Sequence, residues 1–229
     1  MYKKLTLILL VSFSILGCNG SNENSNSNKI SGVYLDKDDN LFLIDYLDTK
    51  KVYIRTKNGI EFHTMNNMYE SNGAYYSKGL YSWEDGVESK KENVITTFHI
   101  VDNNKVKIVS KSENKVLLSS TVNREPSYKM IDDLVGTHTD NKYGEVLTIN
   151  ADGSFTDIGF TDTLMKNCII EGKLTSVENI YYKITAFASG CKDKSFDDEY
   201  HGNMYIVDNR AYINLVKNNV PVWSDISLN

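Results

Sequence analysis

The sequence predicts an all-β protein with two tandem small antiparallel lobes, each a β-barrel or a β-sandwich. Short runs rich in β-branched and aromatic residues are separated by turn signals rich in Asn, Asp and Gly, which tolerate positive φ. Many short strands with frequent turns are typical of antiparallel barrels and sandwiches. The strand-like runs occupy residues 52–55, 94–101, 106–108, 180–187 and 212–216, and the turn signals occupy residues 36–40, 57–59, 102–104, 150–153 and 208–210.

Two landmarks recur along the chain in the same order. The tetrapeptide Ile-Val-Asp-Asn begins at Ile100 and again at Ile206, a displacement of 106 residues. Upstream, Ser-Gly-Val-Tyr at residues 31–34 is similar to Val-Gly-Thr-His at residues 135–138, displaced by 104. The nearly equal displacements favour a duplicated lobe. The alternative is that two unrelated β segments share a common hairpin type.

The boundary between the lobes falls in a polar segment that contains Pro126, one of only two prolines in the chain. We therefore assign residues 30–123 to lobe 1 and residues 124–229 to lobe 2. Just beyond the boundary, apolar side chains recur at helical spacing over residues 130–135. This spacing predicts one short helix that plugs the end of lobe 2.

The amino terminus has the layout of a secretory signal. Lys3 and Lys4 precede an apolar run over residues 5–16, which is shorter than the roughly 20 residues of a membrane-spanning helix. The run ends in Ile-Leu-Gly-Cys, which resembles the lipobox of bacterial lipoproteins. The resemblance implies that residues 1–17 are a signal peptide, removed before Cys18, and that lipid is attached to the Cys18 sulfur.

Membrane attachment through an N-terminal lipid follows from this resemblance. Lipoproteins of this type carry several acyl chains, palmitate among them, and stable anchoring takes at least two such signals. Cys18 is followed by eleven residues without an apolar side chain, so we expect residues 18–29 to form a disordered tether. Asn19 replaces the aspartate that retains lipoproteins in the inner membrane of enteric bacteria. The resemblance therefore favours the outer membrane, if the cell has one.

The chain contains three cysteines, an odd number that needs an explanation. With Cys18 taken by lipid, as the resemblance implies, Cys168 and Cys191 remain, and we expect them to form a disulfide in an oxidising compartment. One alternative is a reactive thiol pair, although no CxxC spacing lowers a thiol pKa here. The other is a metal site, which would need more cysteine or histidine nearby.

Lobe 2 carries a second resemblance. Leu-Val-Gly-Thr-His at residues 134–138, followed by a hairpin around Asn-Ala-Asp-Gly at residues 150–153, resembles the opening of lipocalin-like domains found in bacterial lipoproteins. Those domains open with Leu-x-Gly-Thr-Trp, and His138 stands here at the tryptophan position. The resemblance implies a small up-and-down barrel and names no ligand.

The charge of the chain argues against nucleic acid as a partner. The formal charge is −5, from 25 basic and 30 acidic residues, and loss of Lys3 and Lys4 with the signal peptide would leave 23 against 30, or −7. Binding to phosphates needs clustered Lys and Arg. Arginine is rare, at positions 55, 124 and 210 alone.

No sequence pattern identifies a catalytic, metal or cofactor site. GxSxG, P-loop and GxGxxG motifs are absent from the sequence. The calcium-loop-like start at Asp36 fails, because Leu41 and Leu47 stand where Gly and Glu are required. An acidic loop before His201 could hold a cation, but such loops are usually solvated. We therefore expect no catalytic residue, no metal and no cofactor.

An aromatic segment is the candidate binding surface, with Tyr75, Tyr76, Tyr81 and Trp83 as its residues. On a strand, Tyr81 and Trp83 share one face, and Tyr and Trp dominate interface hot spots. The alternative is that this face packs in the barrel core.

These observations together favour a lipid-anchored, non-enzymatic binding protein of the cell envelope that contacts another protein or an envelope component. The alternative is a carrier that holds a small hydrophobic ligand inside a lipocalin-like barrel. An enzyme would require a cleft with converging His, Asp or Glu side chains.

Overall fold

The computed structural model describes residues 30–57, 61–84, 87–125, 128–160, 165, 167–218 and 220–228. The predicted signal peptide, Cys18 and the tether lie outside these residues. The described residues form sixteen strands and two single turns of 3-10 helix, Ile131–Asp133 and Lys194–Phe196. The strands are β1 Gly32–Leu35, β2 Leu41–Asp45, β3 Lys51–Arg55, β4 Glu61–Ser71, β5 Ala74–Glu84, β6 Val87–Asp102, β7 Lys105–Ser112, β8 Lys115–Arg124, β9 Gly136–Asp140, β10 Glu145–Ile149, β11 Ser154–Ile158, β12 Ile169–Val177, β13 Tyr181–Ser189, β14 Asp198–Val207, β15 Arg210–Lys217 and β16 Val220–Ser227.

The strands form two eight-stranded antiparallel meanders, which confirms the predicted fold class. Strands β1 to β8 make a closed barrel, in which β1 pairs with β8 through Tyr34 opposite Arg124 and Leu35 opposite Asn123. Strands β9 to β16 make a second sheet that curls into a half-barrel. Its edge strands, β9 and β16, come close together. Among the described residues, no backbone ladder joins these two strands.

The repeated tetrapeptide occupies equivalent places in the two sheets. Its first copy ends β6 and leads through a turn into β7, and its second copy ends β14 and leads into β15. These are the sixth and seventh strands of each meander. Asp208 and Asn209, at the second turn, have φ of 49° and 59°, a conformation that Asp and Asn tolerate better than other residues.

The segment between the lobes contains a single 3-10 turn instead of the predicted short helix. Leu134 is fully buried in the core of the second lobe and Ile131 packs against that core, whereas Met130 and Val135 are exposed. Strand β9 begins at Gly136, so one turn is enough to bring two apolar side chains to the end of the barrel.

Alternation along the strands builds a separate core inside each lobe. Tyr34, Phe42 and Phe98 are among the large side chains buried in the first barrel. Phe155 and Tyr200 are buried inside the second. Apolar side chains thus occupy both barrel interiors.

A disulfide joins Cys168 to Cys191, with an S–S distance of 2.07 Å, as predicted. Cys168 directly precedes β12 and Cys191 follows β13, so the bond closes the open end of that hairpin. Both cysteines are buried in the second core. The part of the chain that the structure describes contains no helix long and apolar enough to cross a membrane.

Candidate functional site at the lobe seam

The two lobes pack through the outer faces of their sheets, and we call this contact the lobe seam. Phe62 of β4 stacks on Trp223 of β16 with ring centroids 5.2 Å apart and an interplanar angle of 13°. Trp83 of β5 lies 6.3 Å from Phe62 and is only 4% exposed. The buried apolar residues of the lobe seam are Val33, Leu41, Leu43, Tyr53, Phe62 and Trp83 of lobe 1 and Tyr181, Tyr205 and Val207 of lobe 2.

Arg55, at the end of β3, connects the two lobes by polar contacts. Its Nη1 donates to the Ser224 backbone oxygen at 2.8 Å, and its Nη2 donates to the carboxylate of Asp225. Its guanidinium also lies 5.2 Å from the centroid of the Tyr212 ring. Arg55 is 6% exposed, so the pair with Asp225 is shielded from solvent on the arginine side.

Asp225 is shared between two arginines. Arg210 of β15 donates through Nε to the second carboxylate oxygen of Asp225 and through Nη1 to Ser227 Oγ at 2.8 Å. Its Nη2 lies 3.4 Å from Asp140 Oδ2. Arg55, Asp225, Arg210 and Asp140 therefore form a continuous row of alternating charge from lobe 1 to β9 of lobe 2. Within this row, the pair between Arg55 and Asp225 joins the two lobes, and Arg210 holds Asp225 from within lobe 2.

A cavity of about 640 Å³ opens beside this row, and we call it the seam cavity. Both lobes contribute its walls, and most of the lining side chains are polar. Its apolar lining comes from Leu35, Leu41 and Val207. The polar and aromatic lining consists of Asp39, Arg55, Thr56, Lys57, Asp140, Lys142, Tyr143, Asp208, Arg210, Tyr212 and Asp225.

A second, smaller cavity of about 280 Å³ is also shared by the two lobes. Tyr81 and Trp83 line it, with ring centroids 6.3 Å apart and nearly parallel planes, and Lys90 Nζ lies 5.3 Å from the Tyr81 ring centroid. Asn218 and Pro221 close it from lobe 2.

A pair of buried carboxyl groups lies inside lobe 2. Glu145 and Asp157 are both fully buried. Ser224 Oγ lies 2.5 and 2.6 Å from the two carboxyl oxygens of Glu145, and its one O–H donates to that carboxyl. Burial raises the pKa of Glu145 to about 7. Burial, together with the neighbouring Glu145 carboxyl, raises the pKa of Asp157 well above its usual range. Ser224 belongs to β16 and Glu145 to β10, so their bond reaches across the open edge between β16 and β9.

The four residues of the candidate aromatic surface, Tyr75, Tyr76, Tyr81 and Trp83, do not lie together on one exposed patch. Tyr75 is 2% exposed and belongs to the core of the first barrel, where burial raises its pKa to about 12. Tyr76 points outward and stacks on Tyr69 at 5.5 Å. One extra residue in β5 opposite β4, between Lys78 and Tyr81, changes the alternation further along β5. Tyr81 and Trp83 share one face of the strand, as predicted, and that face is the outer one, which lobe 2 covers.

The histidines are scattered. His63 Nδ1 lies 2.7 Å from Ser82 Oγ, and burial lowers the pKa of His63. His138 is buried with Nε2 2.9 Å from the Leu134 oxygen, while His99 and His201 are exposed. In the described ranges, no three His, Cys, Asp or Glu side chains are grouped in a way that could hold a metal ion.

Sequence reasoning missed the charged row of the lobe seam. One signal was present, because the chain holds only three arginines among its 25 basic residues. Two of them, Arg55 and Arg210, build the row. The third, Arg124, donates to the Ser31 oxygen at 2.7 Å and to the Tyr34 hydroxyl at 2.6 Å where the first barrel closes. All three arginines thus lie where separate parts of the fold meet, either at the lobe seam or at the closure of the first barrel. A planar guanidinium with several donors is favoured over lysine at such places.

Comparison of the chain with protein-family models, curated proteins and solved structures finds no match. The geometry of the lobe seam is therefore the guide to function.

Proposed function

We propose that this chain is a lipid-anchored, non-enzymatic binding protein of the cell envelope and that it binds its partner at the seam cavity. One observation supports binding at the seam cavity. Arg55 and Arg210, from different lobes, hold the same Asp225 carboxylate beside a cavity that both lobes line. A cavity held open in this way needs little reorganisation on binding. Preorganisation of this kind favours affinity.

The anchoring part of the proposal rests on the lipobox that ends at Cys18. Its test is incorporation of labelled palmitate by cells that express the full chain. Cys18→Ser should abolish labelling and leave the precursor uncleaved, whereas a cysteine change far from the leader, Cys191→Ser, should leave labelling intact. Equal labelling of the wild type and the Cys18→Ser variant would refute the anchor.

The hydrophobic-carrier alternative finds less support. Tyr34, Phe42 and Phe98 occupy the first barrel, and the corresponding space in lobe 2 holds Phe155 and Tyr200. A barrel that carries a ligand needs an interior with free volume, as in lipocalins.

Site-specific photocrosslinking tests where a partner binds. A benzophenone side chain replaces Tyr143, which is 48% exposed at the seam cavity, or Tyr69, which is 50% exposed on lobe 1 away from it. After illumination of the intact envelope, the proposal predicts an adduct at position 143 and none at position 69. Adducts at both positions, at position 69 alone or at neither would overturn the proposal.

A further inference from the structure

The seam cavity is balanced in charge. Four carboxylates, from Asp39, Asp140, Asp208 and Asp225, face four cationic side chains, from Arg55, Lys57, Lys142 and Arg210. Most of these charges already have an opposite neighbour, since Arg210 pairs with Asp140 and Asp225, and Lys57 Nζ lies 2.5 Å from Asp39 Oδ2. A lining with equal charge of both signs does not concentrate an anion or a cation. A charged ligand would also have to break existing pairs.

Hydrogen-bonding capacity nevertheless remains at the cavity wall. An ionised carboxylate offers about four lone-pair sites and a lysine ammonium offers three donors, so the pair between Lys57 and Asp39 leaves both groups able to bond further. Tyr143 and Tyr212 add hydroxyl groups that both donate and accept. Donors and acceptors that are interspersed in this way match a ligand whose own groups do both, as hydroxyl groups do.

A hydroxyl-rich ligand also needs an apolar surface for its C–H groups, and an aromatic ring supplies one. Tyr143, on the turn between β9 and β10, is 48% exposed. The ring of Tyr212, on β15, is instead stacked on Tyr205 and contacted by Arg55, so Tyr212 offers only its hydroxyl group. Lys142 Nζ lies 4.5 Å from the centroid of the Tyr143 ring. An exposed aromatic face packs against apolar C–H groups while its hydroxyl stays available for hydrogen bonds. The volume of about 640 Å³ lies within the usual range for ligand sites, roughly 300–1,000 Å³.

We propose that the seam cavity binds an uncharged, hydroxyl-rich ligand, namely a short neutral segment of a carbohydrate chain. This inference rests on the proposed function and specifies its ligand class. The carbohydrate lies with a ring face on Tyr143, and its hydroxyl groups bond to the carboxylates and ammonium groups of the wall. Asp208, at the turn between β14 and β15, is one of the accepting carboxylates.

Calorimetric titration of the full chain tests the ligand class. The probes are three neutral trisaccharides, maltotriose, cellotriose and triacetylchitotriose, with trigalacturonate and inorganic phosphate as charged probes. At least one neutral trisaccharide should bind, with an affinity that changes less than about twofold between low salt and about 0.3 M NaCl, because no net charge is involved. The charged probes should bind more weakly.

Variants locate the binding. Tyr143→Ala and Asp208→Asn should each weaken the affinity about tenfold, equal to about 1.4 kcal/mol. Asn tolerates the positive φ of position 208, so that variant keeps its turn. Tyr69→Ala is the matched control and should bind like the wild type. Unchanged thermal unfolding of all three variants shows that they fold.

Three results would overturn the carbohydrate assignment: no binding of a neutral trisaccharide, binding that Tyr143→Ala and Asp208→Asn leave unchanged, or tighter binding of a charged probe. The photocrosslinking at position 143 separates this failure from failure of the proposed function. An adduct there of another chemical class, such as a peptide, would refute the carbohydrate and keep the seam cavity as the binding place.

Discussion

Replacement of Glu145 by Gln should make lobe 2 less sensitive to pH. Glu145 is fully buried, and its carboxyl accepts the hydroxyl hydrogen of Ser224 across the open edge between β9 and β16. Burial, together with the negative charge of Asp225 and Asp140 nearby, favours the protonated form of Glu145, and the hydrogen bonds of its carboxyl with Ser224 and Asp157 offset this only in part. Gln has nearly the same shape as protonated Glu and cannot ionise.

The size of the effect follows from the pKa of Glu145, which is raised from 4.5 to about 7 in the folded protein. Between these two values the folded chain binds more protons than the unfolded chain, so the free energy of unfolding falls as pH rises. The slope is about 1.4 kcal/mol per pH unit for one group, and the total loss is about 3 kcal/mol. Below the unfolded-state pKa of Glu145, its contribution to the free energy of unfolding is fully present. Above the folded-state pKa of Glu145, that contribution is lost. Asp157, whose pKa is also raised, contributes a loss of the same sign.

Urea denaturation followed by circular dichroism, in steps from about pH 4 to about pH 8, measures this dependence. The difference in free energy of unfolding between Glu145→Gln and the wild type should grow by about 3 kcal/mol in favour of the variant across that window. Glu171→Gln changes an exposed glutamate of β12 and is the matched control, with a curve parallel to that of the wild type. A difference between Glu145→Gln and the wild type that stays constant with pH would refute the reasoning.

Three further substitutions test the ion pair between the lobes, the lobe seam and the disulfide bond. Arg55→Ala removes one of the two cationic partners of Asp225 at a contact that is partly shielded from solvent. It should lower the free energy of unfolding, measured by denaturation, by about 3 kcal/mol. A loss below about 0.5 kcal/mol would show that the pair is as weak as an ordinary surface ion pair. Trp83→Ala removes a side chain that is 4% exposed in the lobe seam and should cost about 3–5 kcal/mol, with separation of the lobes visible in solution scattering; unchanged scattering and stability would show that the seam does not hold the lobes. Replacement of both Cys168 and Cys191 by Ala should cost about 3 kcal/mol, because the bond closes a loop whose ends lie 23 residues apart, and a melting temperature equal to that of the wild type would contradict this.

Local features of the fold were predictable from the sequence. Alternation and turn residues predicted two antiparallel β lobes, and the repeated tetrapeptide predicted that the same hairpin would occur twice. The pairing of Cys168 with Cys191 was also predicted, once the resemblance at Cys18 had set the third cysteine aside. These features depend on residues that are close together in the chain, or on a choice among very few cysteines. A sequence pattern can therefore predict them.

The candidate site was predictable only in part. Tyr81 and Trp83 do share an outer face. Their spacing in the sequence does not show whether that face is exposed to solvent or covered by a second lobe. One extra residue in β5, between Lys78 and Tyr81, exchanges the two faces of the strand and so separates Tyr75 from Tyr81 and Trp83. Strict alternation along the segment places all three side chains on one face and therefore does not predict this shift.

The sequence by itself determined the all-β class, several of the strands and turns and, outside the irregular part of β5, which neighbouring side chains share a face, because these follow from the period of two along an extended chain. The tertiary structure alone decided which outer faces meet. Arg55 and Asp225 stand 170 positions apart, and Ser224 lies 79 positions from Glu145, yet each pair is in hydrogen-bond contact. The contact between Arg55 and Asp225 arises because two complete sheets pack together, and the contact between Ser224 and Glu145 arises because one sheet curls on itself. The charged seam cavity exists only as a consequence of the packing between the two sheets.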